Sequence, residues 1–596
     1  MKINLVLIIL MSTFSFVSIG QQQSDIKNPE KYSINNQKYK SLYLDGFLNI
    51  KKEGKPVISD DWMVVTANFQ ASKAAAKILE KGGTAVDAMI SAQIVLGLVE
   101  PESSGLGGGA FLVYYDNVKK EVTTLDGRET APKKVSPVMF QDNKGNPIKF
   151  FDAVIGGKSV GVPGVPALLE KSYLKWGKTK WSLLFEDGIK LADDGFVVSK
   201  KLSSSVKKNK ESLIKFKKNK EYFFPQNIPI EPDQILLNKE YAKTLKQFSQ
   251  HGSKVFYSGK IAKDIIYTVQ KSSHNPGVLS IEDLLFYKVI ERKPVCSLYR
   301  DFKVCGMGPP SSGALTISQI LGMIEKYDLS KLGPKNPETW RIIGDASRLA
   351  FADRSLYMAD KDFVNVPIDQ LINKKYLLKR AKQLETKKKI EVIEAGKLYN
   401  KNSLNYAKDI SIELPSTSHI SIVDIYGNAL SMTTTIENGF GSRLMTKSGF
   451  LLNNQLTDFS FKTHNEGKKI ANSIEPGKRP RSSMSPTIIF KDNKPIYIIG
   501  SPGGSQIIGY VVNTIIALID WKMNVQAASS MPHAINRFGT YDLELGTSIA
   551  ELKIPLEQMG YKVNLKKFFS GLNIIEINNK LYGGSDHRRE GIAIGN

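Results

Sequence analysis

The chain has 596 residues, 41% hydrophobic and 23% charged, with 47 Gly and 26 Pro, which excludes collagen-like, low-complexity and disordered classes. Lys and Arg number 82 against 58 Asp and Glu, a formal charge of +24; only +5 of it (19 basic, 14 acidic) falls from residue 417 onward. Two Cys are too few for a disulfide-built scaffold or a four-thiolate zinc site, and the six His never recur at i, i+4 spacing. No metal centre and no cofactor is expected.

Residues 1–20 open with Lys2, continue through the uncharged run "LVLIILM" and end in small residues, the pattern of a secretory signal peptide. The mature protein is therefore expected to be exported, periplasmic or secreted, without a membrane anchor. Residues 21–60 read as a loosely ordered lead-in. "VVTANFQASKAAAKILEKGGTAVDAMISAQIVLGLVEP" predicts a short strand and two helices broken at Gly82-Gly83, the second ended by Pro101. "GAFLVYYDNVKKEVTTLDGRE" predicts two strands joined by a turn.

"GLGGGA" (105–110) has the glycines of a dinucleotide fingerprint in the wrong context, since a helix precedes it and a strand follows. These glycines read instead as a tight turn or a close backbone approach. Residues 165–400 are mainly helical. Within them the lysine-rich runs 207–223 and 373–389 read as solvated helix faces, with no nucleic-acid motif nearby. Cys296 and Cys305 bracket an alternating strand pair, where they either pair or stay as two buried thiols. Strands return from "HISIVDIYGNALSMTTTI", and "LNIIEINNKLYGGSDH" closes the chain as strands around a turn. The alternation of helical and strand blocks predicts an α/β (α+β) protein with sheets covered by helices on both sides.

Chemistry concentrates in 413–442. Thr417 and Ser418 stand at the start of a strand behind a Pro-containing loop. They are either strand-edge hydroxyls or the site of a cut between Ser416 and Thr417. Such a cut would free an α-amine able to activate the Thr417 hydroxyl. Downstream, Ser482 and Ser483 precede a strand, and Gly503-Gly504 sit at a strand-to-helix turn whose amides suit an oxyanion.

The sequence resembles the γ-glutamyltranspeptidases (glutathione hydrolase proenzymes). The matching residues are "EPESSGLGGGAF", "LDGRETAP", "CGMGPPSSG", "RLAFADR", "TSHISIVD", "GNALSMTTTIENGFGS", "LLNNQLTDFS", "RPRSSMSPT", "GSPGGS" and "DHRREG", in the family's order from about residue 60 to 592. The resemblance implies an N-terminal nucleophile hydrolase with an αββα sandwich. It also implies self-cleavage into a large subunit (21–416) and a small one (417–596) that stay together as a heterodimer. Thr417 is the implied nucleophile and Thr435 its supporting hydroxyl, with Gly503 and Gly504 as oxyanion donors. Arg128, Ser482 and Ser483 would take the substrate α-carboxylate, and Glu437, Gln455 and Asp458 its α-ammonium.

The implied substrates are glutathione and related γ-glutamyl compounds, with water, amino acids or peptides as acceptors. The stretch 460–479 lies where some members carry a lid and is shorter here. Rival readings are a cephalosporin or glutaryl acylase of the same fold, a non-catalytic exported binding protein, and a polyanion-binding protein.

Overall fold

The computed structural model describes residues 51, 53–398, 405–411, 414 and 416–596; the export-signal reading and most of the lead-in lie outside them. Strands β1 (Val57–Ser59) and β2 (Met63–Thr66) lead into helices α1 (Phe69–Glu80) and α2 (Ala85–Val99). Asn68 caps α1 by accepting from the Gln70 amide, and Thr84 with Asp87 forms a reciprocal capping box on α2. Strands β3 (Gly109–Asp116), β4 (Glu121–Gly127), β5 (Ile290–Arg292), β6 (Val295–Tyr299) and β7 (Phe302–Gly306) follow. Helices α3 (Gly313–Ile324) and α4 (Pro337–Tyr357) come next, then strands β8 (Ser418–Val423), β9 (Ala429–Thr435), β10 (Thr487–Lys491) and β11 (Lys494–Gly500). Helix α5 (Ile507–Ile519) and strands β12 (Asn573–Ile577), β13 (Leu581–Ser585) and β14 (Ala593–Gly595) complete the framework.

Two seven-stranded antiparallel sheets result. One runs β14-β2-β8-β9-β3-β4-β5 and the other β1-β13-β12-β11-β10-β7-β6. On the first sheet, alternate residues divide between two cores. Val64, Leu112, Ile420, Ile422, Leu430 and Met432 join α1 and α2, whereas Met63, Val65, Phe111 and Val113 join the second sheet with α3, α4 and α5. Helices cover both outer faces, giving the expected αββα layering.

The lead-in is shorter than the sequence reading had it, because Val57–Ser59 pairs with Leu581–Gly583 at a sheet edge. Cys296 and Cys305 face each other across β6 and β7 and form a disulfide, which resolves the open alternative. The glycine reading also holds. A Cβ at Gly107 would collide with the Leu451 carbonyl, and one at Gly108 with that of Thr435. Among the described residues no helix is long and apolar enough to cross a membrane, and no group of three or more His, Cys, Asp or Glu is placed to hold a metal ion.

Polar groups line the seam between the sheets. The buried His419 ring lies 2.9 Å from Thr433 Oγ1 and 3.1 Å from Ser421 Oγ, while Ser431 Oγ donates to the Ile499 carbonyl (3.0 Å). Burial pushes His419 down to about 3. Below its ordinary 6.5 the unfolded chain takes up a proton that the folded chain refuses, so this group's contribution falls as pH drops toward 3. His419→Asn is expected to destabilise at pH 7.5, and the gap to the parent is expected to narrow below pH 6.5 by up to about 1.4 kcal/mol per pH unit. Urea unfolding of both proteins at pH 7.5 and 5 checks this; a gap that ignores pH contradicts it.

Candidate active site

The β8–β9 hairpin sets the candidate reacting pair, Thr417 and Thr435. Its turn is pinned by Asp424, whose carboxylate accepts from the Tyr426 and Asn428 amides, with Gly427 at φ 77°. The register this imposes pairs Ser418 with Thr434, so the next position along brings Thr417 opposite Thr435. Thr417 Oγ1 donates to Thr435 Oγ1 at 3.3 Å. Thr435 Oγ1 in turn accepts from the Glu437 amide (2.9 Å) and reaches the Ser416 carbonyl oxygen at 3.5 Å. One hydroxyl therefore touches the candidate nucleophile and the carbonyl just before it. Both threonines are buried.

Arg128 follows the end of β4 and is almost fully enclosed. Its Nη2 donates to Asp458 Oδ2 (2.5 Å) and the Arg481 carbonyl (2.9 Å), and its Nε to the Pro480 carbonyl (3.3 Å). Among the described residues Nη1 makes only a 3.9 Å ion contact with Glu129, an edge of the fork that could take an incoming carboxylate. Gln455 Nε2 donates to the same Asp458 oxygen (2.6 Å), while Gln455 Oε1 is buried without a hydrogen-bond partner among the described residues.

Glu437 accepts from Asn454 Nδ2. Burial first, and then the Asp458 charge, drive its carboxyl well above the ordinary range. A cation arriving between Glu437 and Asp458 would relieve that repulsion. Glu437 also holds φ 76°, a backbone conformation that costs a non-glycine residue about 1–3 kcal/mol and concentrates at functional sites. Arg128, Gln455 and Asp458 are thus in direct contact, and Glu437 is tied to Thr435 through its own amide.

Ser482 and Ser483 sit on the loop whose carbonyls Arg128 grips. The Met484 amide donates to Ser482 Oγ (3.1 Å), and Arg354 Nη2 donates to Ser483 Oγ (2.7 Å). Gly503 and Gly504 occupy the turn from β11 to α5, at φ 141° and 58°. Tyr510 crowds the space a Gly503 Cβ would need, so that position requires glycine on two counts. Gly500, which ends β11, packs directly on the His419 ring, bringing the turn toward the strand that Thr417 precedes. Among the described residues neither Gly503 nor Gly504 donates its amide to a backbone carbonyl. A cavity of ≈ 630 Å³ opens nearby, with Leu414, Arg481 and Ser505 in its wall.

Several residues here escaped the sequence reading of individual roles. Arg479 Nη1 donates to Asp126 Oδ1 (2.8 Å) and to the Arg128 carbonyl (2.7 Å), holding the backbone beneath the fork. Asn454 clamps Glu437, and Arg354 supports Ser483. Glu129 is fully buried with neither oxygen hydrogen-bonded among the described residues; burial, only partly offset by Arg128, pushes it up to about 8. Each lies inside a matched motif, so the signal was present, but nothing local distinguished it from its neighbours. Within 460–479, His464–Asn465 pairs with Lys468–Lys469 in a small, mostly exposed hairpin.

Fold and site together define a hydrolase-type sandwich with a threonine at the head of a central strand. The Gamma-glutamyltranspeptidase family model matches residues 71–596, and the chain belongs to that family. Among relatives, the glutathione hydrolase proenzyme of Bacillus subtilis (strain 168) is 35% identical over 552 residues, covering 90% of this chain and 92% of that one. Among solved structures, γ-glutamyltranspeptidase of Helicobacter pylori is 37% identical with a TM-score of 0.53, covering 55% of this chain and 93% of the other. The cephalosporin acylase of Bacillus halodurans superposes at a TM-score of 0.78 and 22% identity, covering 95% and 99%, a likeness of fold. The N-terminal nucleophile hydrolase sandwich expected from the sequence is the fold observed.

Proposed function

We propose that this chain is an exported, self-cleaving γ-glutamyl hydrolase and transferase acting on glutathione and related γ-glutamyl compounds. The observation that carries the reading is the Thr417–Thr435 contact beside the Ser416 carbonyl. Thr417 Oγ attacks that carbonyl, the C–N bond to Thr417 breaks, and the ester formed is hydrolysed, releasing Thr417 as a new N-terminus. The products are a large subunit ending at Ser416 and a small subunit of residues 417–596, held together by β8 lying between β2 and β9.

In turnover the freed α-amine takes the hydroxyl proton, and Thr417 Oγ attacks the γ-amide carbon of the substrate. Gly503 and Gly504 amides stabilise the oxyanion; removing one such donor typically costs about 10²–10³ in rate. The amine leaves with a proton, and water or an amino group then resolves the γ-glutamyl ester. Arg128 with Ser482 and Ser483 binds the α-carboxylate, while Asp458, Gln455 and Glu437 bind the α-ammonium. That ammonium site distinguishes γ-glutamyl from glutaryl substrates, which carry no amine. The signal-like first twenty residues support export.

Intact mass and N-terminal sequencing of purified protein test the first half: two fragments, the smaller beginning Thr-Ser-His-Ile. Rates on γ-glutamyl and glutaryl anilides test the second. A single uncut chain, or a preference for the glutaryl compound, refutes the reading.

A further inference from the structure

A buried charge cluster outside the Arg128 pocket grips the chain on both sides of Thr417. Ser416 Oγ donates to the Glu102 carbonyl (2.8 Å), and Ser418 Oγ donates to Glu100 Oε2 (2.7 Å). The two carboxylates are bridged by one ammonium: Lys201 Nζ donates to Glu100 Oε1 (2.8 Å) and to Glu102 Oε1 (2.6 Å). The Lys201 amide is fixed by Glu590 Oε1 (3.1 Å), and Arg589 Nη1 lies 3.8 Å from Glu100. The same turn holds the chain just after β9, since the Glu102 carbonyl accepts from the Phe440 amide (3.0 Å) and that of Ser103 from Ile436 (3.2 Å).

We propose that Lys201 is a positioning residue for cleavage of the Ser416–Thr417 bond, a role that rests on the self-cleavage reading above. By balancing the two carboxylates it keeps Glu100 charged as the acceptor for the hydroxyl after the nucleophile, and by holding the Glu102 side chain it fixes the backbone whose carbonyl accepts the hydroxyl before the bond. Burial opposes the charge on Glu100 and Lys201, yet their mutual attraction holds the carboxyl below and the ammonium above their ordinary ranges. Without the ammonium, Glu100 keeps the more distant Arg589 (3.8 Å) while the enclosed Glu102 carboxylate loses its 2.6 Å ion pair, so one of the two must protonate or move. The Ser418 hydrogen bond to Glu100 is then weakened or displaced, and Thr417 shifts relative to Thr435 and the Ser416 carbonyl. Misplacing reacting groups by about 1 Å costs on the order of 10² in rate.

The test is cell-free synthesis of the full chain, followed by the time course of 416/417 cleavage by intact mass, with near-UV circular dichroism to report folding. Lys201→Met is expected to slow cleavage by about 10²-fold, and Lys201→Arg to restore it to within a few-fold of the parent. Ser418→Ala leaves the charges balanced and removes only one anchor; it is expected to slow cleavage by about tenfold. It decides the matter if Lys201→Met does not fold. Folded Lys201→Met and Ser418→Ala chains that cleave at the parental rate overturn the proposal, as does slow cleavage in Lys201→Met that Lys201→Arg does not rescue. A parent chain that never cleaves refutes the self-cleavage reading itself.

Discussion

Thr417→Ala is expected to give one uncut chain with no measurable turnover of γ-glutamyl substrates. In the proposed mechanism the same hydroxyl serves both steps, so its loss removes the attack on the Ser416 carbonyl and the formation of any γ-glutamyl ester. Deleting a nucleophile of this kind costs about 10⁶ in kcat. The substitution takes away a donor 3.3 Å from Thr435 Oγ1 without touching the β8–β9 register, so the fold should persist. Intact mass and a γ-glutamyl anilide assay read both effects. Cleavage of the variant between 416 and 417 would remove Thr417 from the mechanism. Thr435→Ala is the sharper control: it keeps the nucleophile but loses the hydroxyl shared by Thr417 and the Ser416 carbonyl, and should slow cleavage without abolishing it.

Arg128→Ala should act on substrate binding far more than on cleavage. The guanidinium faces Asp458 at 2.5 Å, and in the proposed reading it is the fork offered to the substrate carboxylate. Truncating one partner of a buried, hydrogen-bonded charge pair costs about 2–5 kcal/mol, which corresponds to a rise in KM of roughly 30-fold to a few thousand-fold. Stability also falls, because Asp458 is left enclosed and the Pro480 and Arg481 carbonyls lose a donor. The Thr417–Thr435 geometry comes from the hairpin ladder, which does not pass through Arg128, so cleavage should still go to completion. Michaelis kinetics on the cleaved variant check this; an unchanged KM removes Arg128 from the substrate site.

The sequence by itself determined the elements and the reacting strand. Caps such as Asn68 and Thr84, the Gly82-Gly83 break and the "DIYGN" turn act within a few residues, so their consequences follow from local chemistry. Even the Thr417–Thr435 pairing is a local matter, because a hairpin of fixed turn and register leaves one partner for each residue. The matched motifs also marked out Arg128, Asp458 and the two glycine and serine pairs, though as neighbours in a pattern rather than as contacts.

Only the tertiary structure decided which groups meet. Arg128 reaches Asp458 across 330 positions of chain and Ser418 reaches Glu100 across 318, because the β3–β4 hairpin lies beside the β8–β9 hairpin in one sheet while the two hairpins lie far apart in sequence. The Cys296–Cys305 bond was undecided for a related reason: alternation predicts two strands, but their register fixes whether the sulfurs face each other. Charge balance is likewise a property of the assembled interior. Burial raises Glu437 and Glu129, whereas Lys201 and Arg589 hold Glu100 down, and a linear sequence carries no record of which carboxylate will have a cation beside it once water is excluded.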